Sequence, residues 1–170
     1  VGECPTCGKR EAWTSADQPY VVFCPRENNC GERHTARDLF PHLYENLSER
    51  YPATDESPNA TAAAYLVQDR KFNLELIPQK LWTQGQKRLL DGTYGDTVRF
   101  PLWGEHFWER LIDAKSIAKV KGRRKAHFNY GIDYKGKHWA PKVWALKEGD
   151  QVFIVEGLFH AIALDHGGKK

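Results

Sequence analysis

Four cysteines confined to the first thirty residues constrain the fold of this chain more than any other feature. They form two pairs, and the chain has no other cysteine: Cys4 and Cys7, then Cys24 and Cys30. A C-x2-C turn supplies two thiolate ligands from one tight loop, and a second loop can complete a tetrahedral site. The apolar run at 20–23 leads directly into the second pair. This order of knuckle, strand, turn, strand and knuckle predicts a small β module stapled by a structural Zn²⁺.

Other interpretations of the four cysteines are two disulfides in a secreted protein or four unrelated thiols. Zinc is favoured because the thiols are close in sequence and no signal-peptide pattern is present. His34 follows Cys30 by four residues and is an alternative ligand, although we expect it to lie outside the site. The chain has no run of eighteen apolar residues, so we predict no membrane span and a cytoplasmic location.

The length of 170 residues allows one ordinary domain plus a small metal module. Residues 1–50 are predicted to be the zinc module with a trailing helix, because so short a segment cannot bury a full core without a staple. The polar, proline-containing stretch 51–59 is predicted to be a linker. Residues 60–148 would form a second, mixed α+β region, and 149–170 the start of a further unit. The chain starts with Val, contains no Met and ends shortly after a patterned apolar segment, so we expect it to be a fragment that comes from the N-terminal part of a longer protein.

Periodicity within 60–148 predicts short elements joined by polar turns. A helix is expected from Ala60 to Phe72, and Asn73 is expected to cap a second, short helix. A strand is predicted at 98–103. Further short strands of a twisted antiparallel sheet are predicted in the following segments: 112–120, 127–133, 137–139 and 142–146.

The segment 152–155 is continuously apolar, which is typical of a strand buried on both faces of a parallel sheet. Glu156 and Gly157 follow at once, and then a helical apolar run at 158–164. A carboxylate would therefore stand at the carboxyl end of a strand, where open α/β sheets place their ligands. From this pattern Glu156 is either a ligand-binding carboxylate or an ordinary exposed acid at a strand end.

The formal net charge of +3 is a weak indication of a polyanionic partner, but the distribution of charge is more informative. Residues 114–142 contain nine Lys or Arg and one acid, Asp133. Such an excess attracts phosphate, although charge runs are also common on solvated hairpins. The candidate phosphate contacts in this segment are Lys121, Arg123, Arg124 and Lys125. Nearby aromatic side chains that offer faces for unpaired bases are Phe128, Tyr130 and Trp139.

The segment 155–164 (VEGLFHAIAL) resembles the first motif of the Toprim domain of primases and some topoisomerases. The cysteine module is similar to the N-terminal zinc module of bacterial and phage primases. Looser similarities to primase cores follow in the expected order: AYL at 64–66, ELI at 75–77, FPL at 100–102, KGR at 121–123 and FN at 128–129. The chain departs from the family in two ways. His160 stands where an Asp is usual, and the later Asp-x-Asp pair is absent, which we attribute to a missing continuation.

The resemblance implies an α+β fold in which a zinc ribbon precedes a mixed α+β primase core that begins a Toprim α/β unit. It implies a DNA-directed RNA polymerase that synthesises short RNA primers on single-stranded DNA by nucleotidyl transfer. Two Mg²⁺ or Mn²⁺ ions would support that reaction in the complete protein, with Glu156 as one ligand or a base near one. The fragment alone would be inactive. Implied partners are template DNA, ribonucleoside triphosphates and a replicative helicase, and the implied location is the cytoplasm of a bacterial cell or a phage-infected host. The resemblance makes Glu156 the candidate catalytic residue, and it adds Asn129, Arg26 and Trp13 to the candidate nucleic-acid contacts. The alternatives are a non-catalytic module that binds single-stranded DNA or a replication partner, or another Toprim enzyme such as a topoisomerase.

Overall fold

A computed structural model describes residues 2–17, 19–120, 125–142 and 145–168, and it is a mixed α+β structure with two small antiparallel sheets. The chain divides into two compact units, Val1–Glu45 and Asn46–Lys170. The division lies before the predicted linker at 51–59. Tyr51 packs against the core of the second unit, and its carbonyl accepts a hydrogen bond of 2.7 Å from the Thr61 hydroxyl. The predicted linker therefore belongs to the second unit.

The first unit contains a three-stranded sheet in the order β1-β2-β3. Its strands are short: β1 is Trp13–Thr14, β2 is Val21–Phe23 and β3 is Arg33–Thr35. The buried apolar residues of the unit are Cys4, Ala12 and Cys24, and Val22 packs against them. So small an apolar interior gives little hydrophobic stabilisation, which agrees with the sequence argument for a staple.

The helix expected after β3 is broken into pieces. Helix α1 is Ala36–Leu39, a 3₁₀ turn spans Pro41–Leu43, and helix α2 is Leu47–Arg50. Proline has no backbone N–H to continue a helix, and Asn46 adopts the left-handed conformation (φ 53°) immediately before α2. Leu47 is buried in the core of the second unit, so α2 belongs to that unit and does not trail the first.

The helical part of the second unit begins as expected. Helix α3 is Ala60–Ala64, and it continues as a π-helical turn over Tyr65–Asp69. A 3₁₀ turn follows at Leu74–Leu76, and the Asn73 side chain accepts a hydrogen bond of 3.0 Å from the backbone N–H of Glu75. The predicted cap is confirmed, while the second helix is a single 3₁₀ turn. Another 3₁₀ turn spans Gln79–Leu81.

The second sheet has four antiparallel strands in the order β4-β5-β6-β7. The strands are β4 Thr83–Arg88, β5 Tyr94–Pro101, β6 Phe107–Leu111 and β7 Ala126–Phe128. The strand predicted at 98–103 overlaps β5, and the one predicted at 127–133 overlaps β7. Helix α4, Ala114–Lys119, occupies the segment 112–120, so the strand predicted there is wrong.

Helix α4 forms because its residues are mostly good helix formers, and because Ser116 packs directly on β5, where Gly95 leaves room for its hydroxyl. The strand predicted at 137–139 is also wrong, since these residues lie in a turn and an irregular segment. Of the segment 142–146, positions 143 and 144 lie outside the described residues, and the other three are not in a strand. None of the described helices is long and apolar enough to cross a membrane.

The main core lies on one face of the second sheet. Val98 and Phe100 of β5 are fully buried there, and helix α5, Leu158–His166, packs against them through Phe159. The Phe159 ring centroid lies 5.6 Å from that of Phe100 and 5.5 Å from that of Trp108. Helix α5 confirms the predicted helical run at 158–164. The opposite face of the sheet carries a small apolar cluster under α4 and, beside it, a row of polar side chains.

The strand expected at 152–155 is not formed. The described residues provide no partner strand for this segment, and a strand needs a neighbour for its backbone hydrogen bonds. Its four apolar side chains are exposed, with Ile154 at 96% of its full accessible area. All pairing between strands in the described part of the chain is antiparallel. The predicted parallel strand, buried on both faces, is therefore wrong for the described chain.

Candidate metal centre and nucleic-acid surfaces

The first pair of cysteines lies on a tight turn. The backbone N–H of Cys4 donates to the carbonyl of Lys9 (2.9 Å), and the N–H of Gly8 donates to the carbonyl of Cys4 (2.8 Å). Gly8 has a φ of 67°, which favours glycine because other residues are strained there. The turn brings Cys7 to the same side as Cys4, as a C-x2-C knuckle requires.

The second pair lies on a wider loop. The N–H of Cys24 donates to the carbonyl of Glu32 (3.0 Å), and the N–H of Cys30 donates to the carbonyl of Arg26 (2.7 Å). The five intervening residues are accommodated as a turn that returns the chain to Cys24. Gly31 closes the loop with a φ of 61°, and a Cβ atom at this position would lie 3.2 Å from the Cα of Glu27.

The four sulfur atoms converge on one point. The Sγ atoms of Cys4 and Cys30 are 3.7 Å apart, those of Cys7 and Cys24 are 3.8 Å apart, and all four lie within 4.8 Å of one another. A regular ZnS₄ tetrahedron with Zn–S bonds of about 2.3 Å has edges of about 3.8 Å. A disulfide would need about 2.05 Å, and all four cysteines are free. The four cysteines can therefore hold a metal ion such as zinc.

The electrostatics of the thiols also favour a cation between them. Backbone N–H groups of Cys7 and Thr6 donate toward the Cys4 sulfur and lower the pKa of that thiol to about 6. At Cys30, the backbone N–H of Glu32 favours the thiolate, but desolvation and the three neighbouring sulfurs outweigh it and raise the pKa to about 12. Sulfurs at this spacing cannot all carry negative charge unless a cation neutralises them.

His34 lies outside the sulfur cluster, as expected. Its Nε2 atom is 3.1 Å from the Thr6 hydroxyl oxygen, so the imidazole packs on the first knuckle. Within the described residues, the four cysteines are the single group of three or more side chains placed to bind one metal ion.

The face of the first sheet that carries Trp13 presents a row of aromatic and cationic side chains. Trp13, Phe23 and Arg33 are direct partners across β1, β2 and β3. The Trp13 and Phe23 rings stack with centroids 4.9 Å apart, and the Arg33 guanidinium lies 5.2 Å from the Phe23 centroid. Trp13 is 45% exposed. Because side chains alternate along a strand, the row and Val22, which packs on the cysteines, lie on opposite faces.

Arg26 is the other candidate contact of the first unit. Its side chain is half-buried on the second knuckle, and its Nη1 atom is 3.9 Å from a carboxylate oxygen of Glu11. An ion pair of this length on the surface is weak and can exchange for a phosphate.

The basic segment predicted to bind phosphate is only partly described. Lys121, Arg123 and Arg124 lie outside the described residues, and Lys125 is exposed at the start of β7. The Asn129 side-chain oxygen accepts a hydrogen bond of 2.8 Å from the N–H of Phe107, so this part of the amide already has a structural role.

The three aromatic residues named as candidate base platforms have different environments. Trp139 donates its indole N–H to the carbonyl of Pro101 (3.1 Å) and packs edge-on against Phe100, so its expected role as a base platform is not supported. Phe128 stacks on Tyr134 with centroids 5.2 Å apart, and Tyr130 is fully exposed. Two of the three remain available to a ligand.

Glu156 is exposed and directly precedes the Gly157 cap of α5. It does not stand at the end of a sheet strand, because the expected strand before it is not formed. The described residues bring no group of acids around it that could hold a metal ion.

Sequence reasoning missed a polar network on the second sheet. The Glu109 carboxylate is buried and accepts hydrogen bonds from Arg99 Nε (2.7 Å), His127 Nε2 (2.9 Å) and the Thr97 hydroxyl (3.0 Å). Burial acts to raise the pKa of Glu109, but the contacts from His127, Arg99 and Thr97 outweigh it and lower the pKa to about 2. The sequence signal for this network was the pair of polar residues at positions 97 and 99 of β5. Their shared partner, Glu109, is identified only by the register of the strands.

Comparison of the chain with protein-family models, with curated proteins and with solved structures finds no match. The site must therefore be interpreted from its own geometry.

Proposed function

We propose that Cys4, Cys7, Cys24 and Cys30 bind one Zn²⁺ ion that stabilises the first unit as a zinc ribbon. The sulfur spacing, which fits a ZnS₄ tetrahedron, is the observation that carries this proposal. Four protein ligands would leave no open coordination position, so the ion has a structural and not a catalytic role.

The zinc ribbon in turn binds single-stranded DNA through the stacked row of Trp13, Phe23 and Arg33. Exposed aromatic faces stack on unpaired bases, and an adjacent guanidinium binds phosphate or stacks on a base. The row is set by cross-strand register, so it is a fixed surface that does not have to be ordered on binding.

At the level of the whole protein, this module reads the template for a DNA primase. The support is the resemblance of the cysteine module and of 155–164 to primase motifs, together with the mixed α+β fold in which FPL at 100–102 begins in a core strand. In that reaction Glu156 contributes one carboxylate to a Mg²⁺ or Mn²⁺ site that needs further acids.

A second candidate is a non-catalytic module that binds single-stranded DNA. It is favoured by the environment of Glu156, which is exposed, belongs to no group of side chains in the described chain that could hold a metal ion, and lacks the expected strand before it.

The DNA-binding proposal is tested by titrating zinc-loaded protein with a fluorescent thymidine oligonucleotide. Trp13→Ala is expected to weaken binding about tenfold or more, since one base–aromatic stack contributes about 1–3 kcal/mol. Tyr94→Ala is the matched control because Tyr94 is an exposed aromatic on the second sheet. Equal affinity of Trp13→Ala and wild type would reject the ribbon surface as the DNA site.

The two candidates at the level of the whole protein are separated by primer synthesis in the full-length protein. Glu156→Gln is expected to abolish synthesis while DNA binding is retained, and Glu148→Gln, at another exposed acid, is the control. Primer synthesis that survives in Glu156→Gln removes the catalytic role of Glu156. An inactive wild-type protein that binds DNA supports the non-catalytic module.

A further inference from the structure

A polar row crosses the second sheet on the face opposite the main core. Arg99 on β5 is the direct cross-strand partner of Glu109 on β6, and Glu109 is the partner of His127 on β7. Lys87 on β4 reaches the same row, with its Nζ atom 3.0 Å from His127 Nδ1. Side chains from all four strands therefore meet around one buried carboxylate.

The hydrogen bonds fix the protonation of the imidazole. An ammonium group has no lone pair, so Lys87 is the donor and His127 Nδ1 the acceptor. The ring proton is then on Nε2, which donates to Glu109 (2.9 Å). His127 is accordingly a neutral bridge between an ammonium and a carboxylate.

The row carries more positive than negative charge. Glu109 is its single carboxylate, whereas both Lys87 and Arg99 are cations, which leaves a net charge of +1 with a neutral imidazole. Among the described residues, Lys87 contacts an imidazole and no carboxylate, and its partial burial lowers its pKa, an effect that the charge of Glu109 offsets only in part. A half-buried cation whose carboxylate lies beyond an imidazole is stabilised when an anion occupies the space beside it.

Arg99 is held in place before any ligand arrives. Nε donates to Glu109, Nη2 donates to the carbonyl of Gln86 (3.0 Å), and the guanidinium lies 4.5 Å from the Phe107 ring centroid. Gly85 on β4 leaves room for it, since a Cβ atom there would lie 2.3 Å from the Arg99 Nε. Nη1 has no partner among the described residues, and the side chain is 31% exposed. A fixed guanidinium with a free donor is well suited to an oxyanion.

We propose that Lys87 and Arg99 form a phosphate-binding site on the outer face of the second sheet, with Glu109 and His127 as positioning residues. Three hydrogen bonds hold the Glu109 carboxylate in place, and it in turn orients Arg99 so that Nη1 is left for the ligand. The ligand is a phosphate group, either of a single-stranded nucleic acid or of a free nucleotide. The choice between these sources rests on the proposed function, whereas the phosphate chemistry does not.

The test follows the backbone amide signals of residues 87, 99 and 127 by NMR in the full zinc-loaded chain. One arm adds inorganic pyrophosphate in a buffer without phosphate, and the other adds a thymidine oligonucleotide to the Trp13→Ala protein. The second arm removes the ribbon contribution, so failure of the ribbon proposal does not affect the result. Lys87→Gln is expected to weaken binding about tenfold and to reduce the dependence of log K on log salt by about 1 in the oligonucleotide arm.

Two variants separate binding from a structural role. Lys80→Gln makes the same change of charge at an exposed lysine that forms no ion pair with the described residues, and it should bind as wild type does. Gly85→Ala keeps every charge but displaces the Arg99 guanidinium, so it should weaken binding while Arg99 is still present.

The outcomes are decisive in both arms. Shifts at 87, 99 and 127 with pyrophosphate support the site and indicate a free nucleotide as a source. Shifts with the oligonucleotide alone support the site and indicate a nucleic-acid backbone. If neither probe shifts these signals, or if Lys87→Gln binds as Lys80→Gln does, the row is a structural network and the proposal is wrong.

Discussion

The two sheets are both antiparallel, but they bury very different amounts of apolar surface. The sheet of β1 to β3 buries little besides cysteine sulfur, alanine and part of a valine. The sheet of β4 to β7 packs one face on a core that contains Phe100, Val98 and Leu66, all fully buried. In the proposed zinc-bound state, metal coordination takes the place of the hydrophobic effect in the first unit, while the second unit folds by burial of apolar area. The stability of the two units should therefore respond to different changes.

Removal of the metal should have the largest effect, and only on the first unit. Binding of a structural Zn²⁺ contributes on the order of 10–16 kcal/mol in small zinc modules, so a chelator should unfold residues 2–45. Limited proteolysis should then cut within this region, while the thermal transition of the second unit is unchanged. Re-addition of Zn²⁺ should restore protection. A second unit that unfolds together with the first would contradict the comparison.

Shortening a buried side chain of the main core should destabilise the second unit and leave the metal content of the first unit unchanged. Phe100→Ala removes a fully buried ring and should destabilise the second unit by about 3–5 kcal/mol. The zinc content should remain one ion per chain, as measured by elemental analysis. Tyr94→Ala, at an exposed position of the same strand, should change the unfolding free energy by less than about 0.5 kcal/mol.

Low pH should destabilise the second unit through protonation of Glu109. Its pKa in the folded protein, about 2, is below the ordinary value of 4.5, so its stabilising contribution is fully present above pH 4.5. That contribution is lost as pH falls from 4.5 toward 2. The unfolding free energy of the second unit, measured by denaturant titration, should therefore decrease as the pH falls through this range. Glu109→Gln should remove this dependence of stability on pH. Glu148→Gln, at an exposed acid, should keep the wild-type slope.

The smallest effect concerns a single cap in the second unit. Asn73→Ala removes the acceptor for the N–H of Glu75 and should destabilise the unit by about 1 kcal/mol. Asn73→Ser keeps a capping oxygen and should lose much less. Equal losses in the two variants, measured by thermal denaturation with zinc bound, would show that the cap oxygen is not responsible.

Local sequence signals predicted the elements whose determinants are local. The Asn73 cap and the apolar run of α5 each depend on residues within a few positions of one another. The cysteine cluster joins residues 17 and 26 positions apart, but each of its two loops is recognisable from its own pair of cysteines. Strand β4, with the sequence TQGQKR, has no apolar alternation and is recognised only by its pairing with β5. The polar row joins residues 10 and 18 positions apart, Arg99 to Glu109 and Glu109 to His127, so it required the register of the sheet.

The prediction of a strand at 152–155 was wrong for a different physical reason. Its apolar residues do have the composition of a buried strand, but composition predicts burial only where a neighbouring strand is present to pair with it. Ile154 and its neighbours are instead exposed in the described chain. The prediction for Glu156 depended on that strand, so its catalytic role is supported by resemblance alone.

The cysteine cluster also has a consequence for storage of the purified protein. Loss of the proposed ion, with unfolding of the first unit, would expose four thiols within a stretch of thirty residues, so each thiol has a partner within reach along the chain. Dissolved oxygen or peroxide can then take two electrons from each pair, with loss of two protons, and close two crosslinks that exclude later metal uptake. Preparations stored in air without zinc should gradually become refractory to reloading until a thiol reductant is added.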